Sequence, residues 1–385
     1  MVLLVTGTPQ RVRVLHVALD LHAGGLERLV ADLIRRGDHS RFEYHLLVLR
    51  FLGRFGEGLH PYATLHVARP MGRLSMLHPA ALRRQIEAIA PDVIHTHSGV
   101  WYKVARAIRG LGRPPLVHTD HGRERPDPWQ DRLVDWIASH RTAAVVAVSD
   151  VLAEQLRRTV VACPERVRTI LNGVDTEEYA PRPDDGALRG ELGLAPEVPI
   201  IGSIGRLEPI KGYDLMVEAF ALLAREAGTR GPAPALVIAG EGGEQERLAA
   251  RVAELGLGHR VFLLGWRSDP DRLYRAFTVF AMTSRSEGTS VSLLEAMSSG
   301  CCPVVTPVGG NGVVLGPALQ HRMVAGLAPE DIAAGWRAAL ADPAARATDA
   351  RAGRARVEEA FSLAAMTRAY EALYNGVRSV SSPSP

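Results

Sequence analysis

The stretch Val12-Arg13-Val14-Leu15-His16-Val17-Ala18, then Ala23-Gly24-Gly25 and Leu26–Arg36, decides the fold class. Its first part is a short apolar run of the kind that fills a buried strand. In its last part Leu26, Leu29, Val30, Leu33 and Ile34 recur at helical spacing, so one face is apolar and the rest polar. A strand, a glycine turn and an amphipathic helix make the repeating unit of a parallel sheet covered by helices.

Outward from this unit the alternation continues. Strands are expected at Tyr44–Leu49, Leu65–Ala68, Val93–His97, Leu116–His121, Ala143–Val148 and Val167–Leu171. At Ala180-Pro181-Arg182-Pro183-Asp184-Asp185-Gly186 neither a strand nor a helix can continue, and a linker is expected. Strands resume at Pro199–Gly205, Ala235–Ala239, Val261–Leu264, Val279–Thr283 and Pro303–Thr306. Helices are expected at Tyr213–Glu226, Glu244–Leu255, Asp271–Ala276, Val291–Ser299 and Asp331–Ala341, with one or two more over Ser362–Val377. The reading is α/β: two doubly wound halves, residues 1–180 and 181–360, then a closing helix and tail, 361–385. A ligand is expected in a crevice at the carboxyl ends of the strands.

Bulk composition narrows the function. A chain of 385 residues suits two such domains. Lys+Arg 45 against Asp+Glu 42 leaves a net charge of +3, too little for a nucleic-acid binder on charge alone. It permits peripheral contact with an anionic membrane without requiring it. Cys163, Cys301 and Cys302 form neither a disulfide framework nor a zinc spacing. The N-terminus lacks a basic n-region, and no 18 apolar residues run uninterrupted. A cytoplasmic location is expected.

The densest chemistry lies in Ser284-Arg285-Ser286-Glu287-Gly288-Thr289-Ser290-Val291-Ser292-Leu293-Leu294-Glu295. Glu287 and Gly288 fall in the loop after a strand, and a helix begins near Ser290. Thr289, Ser290 and Val291 mark a helix start whose N–H groups and partial positive charge suit an anion. Gly288 allows a close backbone approach. Glu287 stands before that site and Glu295 behind it, and carboxylates accept hydrogen bonds from vicinal hydroxyls. The bland alternative is an acidic helix start with a capping residue. In Gly202–Gly212, Arg206 and Lys211 flank a strand end, where two cations can neutralise a diphosphate. Gly24 and Gly25 suit close approach to a phosphate or sugar, although G-x-G-x-x-G is not met. His95, His97, His118 and His121 all lie at strand ends. His95-Thr96-His97 can be read as metal ligands, but no acidic or cysteine cluster supports it, and no metal is expected.

In order and over nearly the whole chain, these motifs resemble those of retaining GT-B-fold glycosyltransferases, in particular glycosyltransferase family 4. The resemblance implies two facing Rossmann-like domains. Glu287 and Glu295 match the E-x7-E signature, which implies that Glu287 meets the transferred sugar and Glu295 the nucleotide ribose. Gly205-Arg206-Leu207-Glu208-Pro209-Ile210-Lys211-Gly212 resembles the run that meets the diphosphate. His118-Thr119-Asp120-His121-Gly122-Arg123 resembles the stretch that sets a histidine beside the reacting centre. His121 is the better match for that histidine, and Asp120 and Arg123 are candidates for holding the acceptor. Gly24-Gly25 maps onto the N-terminal glycine loop, with Gly25 toward the donor and Gly24 toward the acceptor. Asn172-Gly173-Val174-Asp175 resembles a hinge run, and Pro307-Val308-Gly309-Gly310-Asn311 a glycine turn. Leu264-Gly265-Trp266-Arg267 resembles the segment that holds the base, with Arg267 the candidate. Thr289-Ser290 departs from the aromatic or proline residues usual after E-G.

The implied activity moves a sugar from a nucleotide diphosphate sugar, UDP by family frequency, to a glycan or small-molecule acceptor, with no obligatory cofactor. A nucleotide-sugar epimerase or a non-catalytic nucleotide-sugar-binding protein could use the same frame. A phosphorylase would need a lysine-bound pyridoxal phosphate and a longer chain, and a dinucleotide oxidoreductase would need the fingerprint this chain lacks.

Overall fold

The computed structural model describes residues 11–22, 24–69, 79–111, 114–122, 128–226 and 233–381. Ala23 of the first glycine loop and Arg123 lie outside them. The described residues form two compact units: one runs to Leu171 and resumes at Ala364, and the other is Asn172–Leu363.

Unit 1 is built on seven parallel strands: β1 (Val12–Ala18), β2 (Phe42–Val48), β3 (Thr64–Val67), β4 (Val93–His97), β5 (Leu116–Asp120), β6 (Thr142–Ala147) and β7 (Val167–Thr169). Their order is β3-β2-β1-β4-β5-β6-β7. Val14 of β1 lies opposite Tyr44 of β2 on one side and Val93 of β4 on the other. The winding reverses between β1 and β4, so their carboxyl ends form the switch point of this sheet. Every residue of β4 and β5 is buried. Both strands carry polar side chains, each of which needs a partner inside the protein. Thr96 of β4 shows how that is met: its hydroxyl donates to the Val117 carbonyl of β5 at 3.3 Å.

Unit 2 is a five-stranded parallel sheet of β8 (Ile200–Ile204), β9 (Ala235–Ala239), β10 (Val261–Leu263), β11 (Val279–Met282) and β12 (Cys302–Val305), in the order β10-β9-β8-β11-β12. Its switch point lies between β8 and β11. Ile201, Phe220, Ile238, Val279 and Trp336 belong to one core cluster beside the sheet. Cys301 and Cys302 are buried, and burial pushes the Cys302 thiol to about 11 and the Cys301 thiol further up, so both stay protonated and unreactive.

The compositional break at Pro181 and Pro183 lies inside unit 2, which begins at Asn172. Val174 N–H donates to the Phe361 carbonyl and Leu363 N–H to the Val174 carbonyl, each at 2.9 Å. Arg354 Nη1 donates to the carbonyls of Thr176, Tyr179 and Ser298. These bonds seat the chain on unit 2 before the prolines are reached. The helix Pro343–Ala360 was not anticipated, because only Asp349, Gly353 and Val357 form its buried stripe. Its start is nevertheless signalled by Asp342, whose side chain accepts from Ala345 N–H, and by Pro343 in the first turn. No described helix is long and apolar enough to cross a membrane.

Candidate functional site

In unit 2 both charged loops meet at the β8/β11 switch point. Gly212 turns at φ 64, and a Cβ there would stand 2.1 Å from the Thr283 carbonyl oxygen. The loop after β8 is thereby pressed onto the end of β11. This brings Lys211 Nζ to 2.7 Å from Glu287 Oε1, and Ser284 Oγ donates to the same oxygen at 2.6 Å. The Glu287 side chain is 7% exposed and that of Lys211 24%, so the pair is better shielded than a surface ion pair. From the other side, Gly309 has φ 52 and its Cβ would stand 1.7 Å from the Glu287 carbonyl oxygen. Gly310 N–H donates to the Gly288 carbonyl at 3.1 Å. The glycine turn after β12 thus supports the Glu287-Gly288 loop through its backbone.

The helix Val291–Ser298 starts after this loop, and Ser290 places no side-chain cap over its N-terminus. Asn172 Nδ2 donates to the Thr289 carbonyl at 2.9 Å and holds the approach to that start. Glu295, one turn in, is buried and accepts from Tyr274 O–H at 2.8 Å. Burial and the Glu295 charge push the Tyr274 phenol well up, so it remains a donor. Arg206 is exposed and pairs with Glu208 at 2.9 Å. Arg267 behaves differently. Its Nε and Nη2 donate to the two carboxylate oxygens of Asp269, each at 2.8 Å, and Nη1 donates to Glu191 at 2.6 Å. Arg285 also escaped the sequence reading: it forks onto Asp214 at 2.8 and 2.7 Å, donates to the Pro209 carbonyl, and clamps the two loops together.

In unit 1 the buried imidazoles at the strand ends are neutral. His121, just past β5, has Nε2 3.3 Å from His97 Nδ1 of β4. His97 Nε2 lies 3.0 Å from Nδ1 of His16 on β1. His16 was missed because it sits inside an apolar run that reads as core. His95 Nδ1 meets the Tyr374 hydroxyl and Nε2 the Thr119 hydroxyl, each at 2.7 Å, and Thr119 Oγ1 lies 3.1 Å from the Tyr370 hydroxyl. The closing helix Leu363–Ser381 is anchored to unit 1 through these tyrosines. His118 stacks on Trp101, with ring centroids 4.0 Å apart and planes 6° apart. Burial lowers His16 to about 3 and His121 to about 4, and pushes His95 and His97 well below the usual range. All four imidazoles are therefore uncharged at neutral pH.

The ring nitrogens of His16, His95 and His97 lie within 4.8 Å of one another, close enough to be weighed as metal ligands. The His16 and His97 planes differ by 9° and their centroids lie 5.4 Å apart. With facing nitrogens at 3.0 Å, the two rings meet end to end, so their nitrogens address each other and not a shared point. Asp120 is buried at the end of β5, and its Oδ1 accepts from Gly122 N–H at 3.1 Å. Gly24, at φ 141, precedes the helix Gly25–Arg36, and its carbonyl accepts from Arg28 N–H at 3.1 Å. Gly25 is exposed in the first turn of that helix.

Solved structures share this fold, and two of them illustrate it. Anabaena Alr3699/HepE, crystallised with UDP and glucose, superposes with a TM-score of 0.83 at 23% identity, over 95% of this chain and 100% of its own. Sucrose-phosphate synthase from Thermosynechococcus elongatus gives 0.79 at 20% identity, over 96% and 100%. The fold class is GT-B, with two Rossmann-like domains. Residues 23–178 match the family described as Glycosyltransferase Family 4, and residues 184–356 the one described as glycosyl transferases group 1. The D-inositol 3-phosphate glycosyltransferase of Actinosynnema mirum is 30% identical over 300 residues, 73% of this chain and 71% of that protein. For the Jonesia denitrificans protein of the same name, 30% identity extends over 269 residues, 65% of this chain and 62% of its relative. The chain belongs to glycosyltransferase family 4.

Proposed function

We propose that this chain moves a glycosyl group from a nucleotide diphosphate sugar to a glycan or small-molecule acceptor, with retention at the anomeric carbon. The observation that carries the reading is the Glu287 carboxylate, 2.7 Å from Lys211 at the β8/β11 switch point and beside a helix start that Ser290 leaves without a side-chain cap. Lys211 and Arg206 receive the diphosphate. Releasing Arg206 from Glu208 costs little, because an exposed ion pair contributes about 0–1 kcal/mol. Glu287 meets the sugar hydroxyls and Glu295 the ribose, with Gly288, Thr289, Ser290 and Val291 along the helix start. Arg267, held by Asp269 and Glu191, anchors the segment whose backbone meets the base. Unit 1 supplies His121 and Gly25 toward the donor, and Asp120, Arg123 and Gly24 toward the acceptor.

In the reaction, the bond from the anomeric carbon to the diphosphate oxygen breaks while the acceptor oxygen bonds that carbon from the same face. The acceptor proton passes to the leaving phosphate oxygen. Arg206 and Lys211 supply the positive field for the departing diphosphate, so this reading calls on no resident metal or other cofactor. UDP is favoured because the Anabaena protein was crystallised with it, and D-inositol 3-phosphate is the first acceptor to try, given its place in the names of the relatives.

The purified chain is to be incubated with UDP-, GDP- and ADP-sugars, with and without D-inositol 3-phosphate or glycan acceptors. Nucleotide diphosphate release that requires an acceptor is expected. No release from any donor overturns the reading, and a donor altered without release moves the chain to the epimerase alternative.

A separate observation bears on partners. The helix Trp129–Ser139 leaves Trp129, Leu133, Trp136 and Ile137 exposed, with Arg109 and Arg141 beside Trp136. This face supports peripheral contact with an anionic lipid surface.

A further inference from the structure

A neutral imidazole has one N–H and one lone pair, and which nitrogen holds the proton decides what His121 can offer a ligand. His121 Nε2 faces His97 Nδ1 at 3.3 Å, with ring centroids 5.6 Å apart. His97 Nε2 faces His16 Nδ1 at 3.0 Å, with centroids 5.4 Å apart. Both contacts are end to end, so in each one nitrogen donates and the other accepts. His97 spends both nitrogens in the row. The protons of all three rings must then point the same way along it, in one of two directions.

The inner end of the row decides between them. His16 Nε2 is buried and has no hydrogen-bond partner among the described residues. If the protons run inward, His16 accepts at Nδ1 and carries its proton on Nε2, as a buried N–H without an acceptor. If they run outward, Nε2 is a bare lone pair. Orphaned buried donors are the rarer fault, and under-used acceptors are better tolerated. The outward direction follows: His16 Nδ1–H donates to His97 Nε2, and His97 Nδ1–H donates to His121 Nε2.

We propose that His16 and His97 are positioning residues that lock His121 in its Nδ1–H tautomer, so that His121 meets its ligand as an uncharged hydrogen-bond donor and not as a base. The proposal rests on the reading that His121 contacts the transferred sugar, and it goes beyond that reading by fixing which atom does so and in what state. Nε2 of His121 is occupied by His97 and is unavailable for taking a proton from the acceptor. Nδ1–H can donate to a sugar oxygen and adds no positive charge beside the anomeric centre. His95 has no part in the row, because both of its nitrogens end on hydroxyls.

The test is the tautomer, read by two-bond proton–nitrogen correlation on the full chain labelled with 15N-histidine. The His121 signals are identified by their loss in His121→Gln. In the unchanged chain His121 is expected as the Nδ1–H form. In His97→Asn, whose amide nitrogen takes the place of the Nδ1 donor, that form should persist. In His97→Phe the lock is gone, and the Nε2–H form should appear. Should His97→Phe fail to fold, His16→Phe decides, because it removes the inner donor while keeping the His97–His121 contact; a mixture of tautomers is then expected. An Nε2–H His121 in the unchanged chain overturns the proposal, and so does a tautomer unmoved by both phenylalanine variants. The measurement needs no substrate. A chain that shows the lock and transfers no sugar therefore refutes the transferase reading and leaves the lock standing.

Discussion

The two switch points of this molecule share a topology and differ in electrical character. At β8/β11 the candidate groups are ions: Lys211 on Glu287, Arg206 on Glu208, Arg285 on Asp214. At β1/β4 they are neutral imidazoles and hydroxyls: His16, His97, His95, Thr119 and Tyr374. The difference follows from where the side chains sit. In unit 2 they stand on loops beyond the strand ends, where charge is affordable and a diphosphate can replace a carboxylate partner. In unit 1 they stand within or just past the strands, where an unpaired charge would be prohibitive and burial removes it. One site is built to trade ion pairs, the other to hold fixed hydrogen bonds.

The sharpest way to break this contrast is Glu287→Gln. The amide keeps the size and the bond from Ser284 but loses the charge that faces Lys211. Turnover is expected to fall about 10²–10³-fold, as when a group aimed at the transition state is removed, while the melting temperature changes little. Unchanged turnover in steady-state assays would remove Glu287 from the mechanism and leave unit 2 without its central group.

The next effect tests the neutral side. The folded His16 imidazole sits at about 3 against an ordinary 6.5. Between those values the unfolded chain binds a proton that the folded chain refuses. The stabilisation is therefore complete above pH 6.5 and is lost as the pH falls through that window. Each fully buried histidine of this kind contributes a slope of about 1.4 kcal/mol per pH unit. Thermal unfolding at pH 7.5 and 5.5, with hydrogen exchange to locate the opening segments, should show β1 and β4 losing protection first. Equal loss in β8 and β11 would erase the distinction between the units.

What the sequence revealed follows the same division. Strands such as β1, β9 and β11 were legible because parallel strands buried on both faces are nearly continuous apolar runs. The unit 2 loops were legible because glycine marks them: Gly212 and Gly309 both have positive φ and no room for a Cβ. The contact those glycines create was not, since Lys211 and Glu287 are 76 residues apart and only the β8–β11 pairing unites them. In unit 1 His95, His97 and His121 were noticed at strand ends, but their partner His16 is 81 residues from His97 and sits in mid-strand. A polar residue inside a buried strand is the signal that could have found it, because it needs a partner from a neighbouring strand. Arg267 shows the converse. Its position singled it out, and only the structure reveals that Asp269 and Glu191 already hold its guanidinium.

The smallest expected effect concerns the surface of unit 1. Trp129, Leu133, Trp136 and Ile137 recur along one face of the helix Trp129–Ser139 and are 62%, 48%, 47% and 42% exposed. Arg109 and Arg141, both exposed, lie beside Trp136. Apolar rings next to basic groups gain on an anionic bilayer in two ways, through burial of the rings and through about 1 kcal/mol for each basic residue near the surface. The charged loops of unit 2 would gain only the second. Sedimentation with phosphatidylglycerol-containing vesicles is expected, with little on pure phosphatidylcholine and less at high salt. Trp136→Ser should weaken binding a few-fold without changing acceptor-dependent nucleotide release in free solution. Equal sedimentation by the variant would show that charge alone draws the chain down and that the exposed aromatic face has another use.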